Sequence, residues 1–147
     1  MRFFFYGTLG AGMDNPMIRA IRPKLGPARR AAVRGHLYAL PDRDGWYPAL
    51  LLQADGGVVE GVVHDAGEDF TARDLATLDA YEAFDPEDEA ASQYVRREIE
   101  VRCEDASLVA QAYLFNAPLP PEACRIEQPS FAAFLAAHGF KPLAPRD

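Results

Sequence analysis

The chain has 147 residues, 49% of them hydrophobic, which suits one domain with a sizeable core and excludes an intrinsically disordered segment. Its formal net charge of -7 argues against nucleic acid and anionic membranes as partners. No run is long and apolar enough to span a bilayer, no charged-then-apolar leader precedes the first strand, and Cys103 and Cys124 stand far from any C-x-x-C, so a reduced cytoplasmic setting is expected.

In chain order, residues 3–6 (FFFY) read as a short buried strand that runs into a Gly-Thr-Leu-Gly-Ala-Gly loop at 7–12. Glycines there let backbone N–H groups approach a ligand closely. The loop does not match a nucleotide fingerprint. The third glycine of G-x-G-x-x-G falls on Asn15, Arg29 and Arg30 stand where an acidic residue is required, and there is no G-K-[ST]. Asn15 reads as the cap of a short helix opening at Pro16, which Pro23 and Gly26 end. Residues 32–40 (AVRGHLYAL) read as a strand with Gly35 as a bulge or close contact. The runs 46–53 (WYPALLLQ) and 58–63 (VVEGVV) predict a hairpin across 54–57.

Thr71 can cap a helix that continues through Glu82. Residues 94–103 and 108–115 predict a second hairpin across 104–107, and 117–123 form a proline-rich crossing. Ser130 caps a last helix over 130–138, which stops at Gly139. Its Phe131, Phe134 and Leu135 share a face that is expected to pack on the sheet. The chain shows no internal repeat. Five or six strands with three short helices, not strictly alternating, predict a single α+β domain over 1–147 whose sheet curls into a barrel. His36, His64 and His138 are scattered, so no metal site is expected.

The helix 71–82 carries the most chemistry. Leu75, Leu78 and Glu82 are spaced i, i+3, i+7, and Asp79 joins their face. An acid on an apolar stripe at a helix C-terminus is expected to hold its proton more tightly for three reasons: burial, the like charge of Asp79, and the negative helix end. Such a carboxyl suits general acid/base work. The alternative is a frayed last residue before the acidic stretch 85–89. In the strand that follows, Tyr94 and Arg96 share a face. Arg96 either holds a substrate carboxylate or pairs with Asp79 or Glu82.

The segments FYGTL (5–9), GHLYAL (35–40), YPAL (47–50), VVEGVV (58–63), LATLDAYE (75–82) and YVRREIEV (94–101) occur in that order. Together they resemble the γ-glutamyl cyclotransferase-like superfamily, over residues 3–115. The resemblance implies a small mixed β-barrel of five to six strands flanked by short helices. It implies that the loop of Tyr6, Gly7, Thr8 and Leu9 offers backbone N–H groups to the substrate as an oxyanion hole, and that Glu82 is the general acid/base. The implied reaction converts a γ-glutamyl amide or amine, a small-molecule substrate, into 5-oxoproline and the free amine, with no cofactor. Tyr47 and Pro48 are expected at the pocket mouth, and Tyr94, Arg96 and Tyr113 beside the substrate. A monomer or weak homodimer is expected.

The sequence departs from the family pattern at Gly10, where a basic residue is usual, and at Ala83, where a glycine commonly follows the glutamate. Its stretch 83–93 is also longer and more acidic. A non-catalytic module that binds a small metabolite on the same barrel is the rival reading. An interaction domain whose loop 85–89 docks a basic partner is a third.

Overall fold

The apolar run at the N-terminus is strand β1 (Arg2–Phe5). The structure, a computed structural model that describes residues 1–7 and 16–142, places β1 inside the sheet. Phe3, Phe4 and Phe5 are all buried. A strand covered on both faces needs no polar alternation, which is why this one is continuously apolar. Phe4 and Tyr6 face one core cluster, and Phe3 and Phe5 face another.

The remaining elements are α1 (Pro16–Ile21), β2 (Arg29–Asp42), β3 (Gly45–Leu52), β4 (Gly57–Asp65), α2 (Ala72–Tyr81), β5 (Tyr94–Cys103), β6 (Ala106–Phe115), β7 (Cys124–Arg125) and α3 (Phe131–His138). β1 pairs antiparallel with β4 and parallel with β6, which makes the sheet mixed. The path β2–β4–β1–β6–β5 returns to β2 through Ala32 opposite Arg102, closing a five-stranded barrel with β3 and β7 as additional strands on β2. This is the α+β barrel with short helices that the sequence predicts.

Alternate residues of β2, β4 and β5, among them Val33, Leu37, Val59, Val63, Ile99 and Val101, fill the barrel, and Phe131 and Phe134 of α3 join them. α3 has the predicted limits: Ser130 accepts from the Ala133 N–H, and Gly139 takes the left-handed conformation at φ 67°. Ile21 of α1 and Leu78 of α2 cover the second cluster.

One predicted pairing is corrected. The runs 46–53 and 58–63 do not form a hairpin with each other. β3 pairs with β2 over 35–42 and β4 pairs with β2 over 29–35, and both registers meet at Gly35. The connection 53–56 lies tight against that point. A Cβ added at Gly56 would stand 2.7 Å from the Gly35 carbonyl oxygen, so backbone meets backbone there with no room for a side chain. The β5–β6 hairpin is present, with a two-residue turn in which Glu104 takes φ 57°.

Candidate active site

Helix α2 is held at both ends by its own sequence. Thr71 and Asp74 exchange bonds in a reciprocal capping box at the N-terminus. At the C-terminus the Phe84 N–H donates to the Asp79 carbonyl at 2.9 Å and the Ala83 N–H to the Ala80 carbonyl at 3.1 Å. These two bonds make a Schellman turn, with buried Phe84 as its apolar anchor. Glu82 is the C-cap, at φ -86° and ψ 10°, and Ala83 follows in the left-handed region at φ 51°. The expected helix limit at Glu82 therefore marks a defined turn rather than a frayed end.

Asp79, one turn before, is buried and fully engaged. Its Oδ1 accepts from Arg96 Nε at 2.9 Å and from the Tyr113 hydroxyl at 2.6 Å, and its Oδ2 accepts from Arg96 Nη2 at 3.4 Å. Arg96 Nη1 donates to Gln111 Oε1 at 3.0 Å, and the guanidinium lies 5.8 Å from the centre of the Phe84 ring. Of the two roles considered for Arg96, the structure has it paired with Asp79.

Glu82 stands differently. It is half-buried, and no described residue hydrogen-bonds its carboxyl. Burial pushes the carboxyl up to about 7. Burial is the cause of this shift, and Asp79, the expected like charge, is paired with Arg96. Three phenols surround this carboxyl. Tyr6, Tyr94 and Tyr113 are each raised above the ordinary tyrosine value, first by burial, then by Glu82 at Tyr6, by Tyr6 and Glu82 at Tyr94, and by Asp79 ahead of Glu82 at Tyr113.

The hydroxyls of these tyrosines are committed to the fold. Tyr6 donates to the Tyr113 carbonyl, Tyr94 to the Pro48 carbonyl at 2.5 Å, and Tyr113 to Asp79. Pro48 is buried against Gly7, where an added Cβ would stand 2.4 Å from its Cγ. Tyr47 is half-buried, with its phenol raised first by burial and then by the charge of Asp42, against an opposing effect of the Gln93 side chain. The structure thus gathers Tyr6, Gly7, Tyr47, Pro48, Glu82, Tyr94 and Tyr113 where β1, β3, β5 and β6 meet the end of α2. Thr8 and Leu9 lie outside the described residues.

Sequence reasoning missed Gln93, Gln111 and Phe84. Phe84 carries a signal, an apolar residue two positions after a helix C-cap. The two glutamines carry none, because their roles depend on partners in other elements. Among the described residues, no group of three or more His, Cys, Asp or Glu is placed to hold a metal ion. Among the described residues, no helix is long and apolar enough to cross a membrane.

Known proteins share this fold. A crystal structure of an AIG2-like protein from Mus musculus is 21% identical, with TM-score 0.69 over 99% of this chain and 96% of that one. A structure described as gamma-glutamyl cyclotransferase is 16% identical, with TM-score 0.60 over 96% of this chain and 88% of that one. YkqA from Bacillus subtilis is 17% identical, with TM-score 0.65, and here 94% of this chain matches 42% of the longer protein. At these identities the likeness is one of fold. No curated protein matches the sequence. The family model described as "Gamma-glutamyl cyclotransferase, AIG2-like" matches residues 3–132. With the barrel, the ordered motifs and a model spanning most of its length in agreement, the chain belongs to the AIG2-like gamma-glutamyl cyclotransferase family.

Proposed function

We propose that this protein is a γ-glutamyl cyclotransferase-type enzyme that releases 5-oxoproline and a free amine from a γ-glutamyl amide or amine. Glu82 takes a proton from the substrate α-amine. The amine nitrogen attacks the γ-carbonyl carbon, a five-membered ring forms, and negative charge gathers on the former carbonyl oxygen. As the γ-carbon–nitrogen bond breaks, Glu82 returns its proton to the leaving nitrogen. Substrate enters as one molecule, and the two products together hold all its atoms.

The observation that carries this reading is the state of Glu82: a half-buried carboxyl, free of hydrogen bonds from the described residues and pushed up to about 7. A base with a pKa near the working pH transfers protons efficiently in both directions. The attack is intramolecular, so holding the substrate folded over the site supplies much of the rate. The backbone N–H groups of Gly7, Thr8 and Leu9 are assigned to the developing oxyanion, and one good donor of this kind is worth roughly 3–4 kcal/mol. Tyr47 and Pro48 form the mouth. The chemistry requires no cofactor.

The test is a panel of γ-glutamyl amines that differ in the leaving amine, assayed for 5-oxoproline. Release from at least one member at a rate set by enzyme concentration supports the reading. Tight binding of the panel with no 5-oxoproline formed would favour a metabolite-binding module.

A further inference from the structure

Asp79, which is buried, and Arg96, which is part-buried, form an ion pair beside the end of α2. The carboxylate is held at both oxygens by the guanidinium and at Oδ1 by the Tyr113 hydroxyl. The Arg96 side is held in turn by Gln111 and lies over the Phe84 ring. The backbone of Asp79 is tied to the same place, since its carbonyl receives the Phe84 N–H that closes the Schellman turn. One residue thus links the helix end to β5 and β6 through its side chain and to the turn carrying Glu82 through its main chain. A bidentate arginine–carboxylate pair is both stronger and more directional than a neutral hydrogen bond, which suits that purpose.

We propose that the Asp79–Arg96 pair, closed by Tyr113, is the positioning device of this site: it fixes the turn that aims Glu82 and presents Glu82 with no net charge. The groups facing Glu82 from the packed elements are the phenols of Tyr6, Tyr94 and Tyr113, all neutral at working pH. Asp79 lies one helical turn before Glu82 and is paired with Arg96 at 2.9 Å, so the two charges oppose one another beside the helix end. Arg96 is a positioning residue here rather than a clamp for the substrate carboxylate. The effect on turnover rests on Glu82 being the working carboxyl, but the charge balance itself does not.

Opposite charge removals distinguish this device from a merely structural ion pair. Asp79→Asn leaves the Arg96 cation unbalanced, which favours the Glu82 carboxylate and moves its titration midpoint down by about half a pH unit or more. Arg96→Gln leaves the Asp79 anion unbalanced and moves the midpoint up by a similar amount. Arg96→Lys keeps the balance, so the midpoint stays while melting temperature falls.

The measurement is the pH titration of the Glu82 side-chain carboxyl by carbon-13 NMR, with the signal assigned by its loss in Glu82→Gln. If the pair only braces the fold, both charge-removing variants admit water and both midpoints move down towards an ordinary glutamate. That result, or no movement in either variant, overturns the proposal. If Arg96→Gln alone does not fold because it buries an unpaired carboxylate, the double variant Asp79→Asn/Arg96→Gln carries the test: with both charges gone the midpoint returns to the wild-type value, whereas a lost brace leaves it lowered as in Asp79→Asn.

In turnover, Asp79→Asn is expected to lose on the order of tenfold or more in kcat with KM nearly unchanged, as misaimed catalytic groups do. Opposite shifts in a protein that releases no 5-oxoproline would uphold the charge balance and remove the enzymatic reading.

Discussion

Gly7 and Pro48 are in contact across the site: a Cβ on Gly7 would stand 2.4 Å from Pro48 Cγ. The carbonyl of the same proline receives the Tyr94 hydroxyl. The glycine of Y-G-T-L and the proline of YPAL thus form one wall, and neither can be enlarged without moving the other. Gly7→Ala is expected to cost about 1–3 kcal/mol, the usual penalty for overpacking. It should also displace Pro48 and lower turnover. Chemical denaturation checks the first effect, and the rate of 5-oxoproline release checks the second.

The left-handed residue after Glu82 supplies a prediction of opposite sign. Ala83 sits at φ 51° at the C′ position of a Schellman turn, where glycine carries no Cβ penalty. Ala83→Gly is expected to stabilise the protein by up to about 1 kcal/mol, the left-handed cost being roughly 1–2 kcal/mol against some gain in unfolded-state entropy. The midpoint of urea unfolding should rise with no change in slope.

Glu82 also couples stability to pH. Its folded-state pKa is raised from 4.5 to about 7, so between those values the native state binds more protons than the unfolded chain. Its contribution is therefore most favourable below about pH 4.5 and is lost as pH rises through about 7. The full swing is of order 3 kcal/mol at 1.36 kcal/mol per pH unit. Glu82→Gln has no such proton to lose. Stability curves of the two proteins should diverge across this window, with the variant relatively more stable at pH 8 than at pH 5. Parallel curves would contradict the burial of this carboxyl.

Much of this was legible in the sequence because it depends on local chemistry. The caps at Thr71 and Ser130, the helix end at Glu82 and the β5–β6 hairpin follow from residues close together in the chain. What was not legible depends on long-range pairing. The runs 46–53 and 58–63 flank a Gly-Gly turn signal and look like partners, but β2 is long enough to pair with both. The face shared by Asp79 and Glu82 was readable from helical spacing. That their charges are treated differently was not, since Arg96 and Tyr113 reach Asp79 from other elements. The three tyrosines were candidates for substrate contact, and their hydroxyls are bonded within the protein, an outcome that no sequence period encodes.

The central claim is that Glu82 moves the proton. Glu82→Gln preserves shape and removes the ionisable group, and its neutral amide avoids the cost of a desolvated charge, so the fold should survive. Losing one general acid/base typically costs on the order of 10²–10⁴ in rate, and a residue serving both proton steps should sit at the upper end. The direct measurement is the rate of 5-oxoproline release by folded Glu82→Gln protein, on a γ-glutamyl amine that the wild type turns over, with substrate binding measured on the same preparation. The account predicts retained binding and a rate lower by about 10⁴. A folded variant that releases 5-oxoproline at near wild-type rate would contradict it.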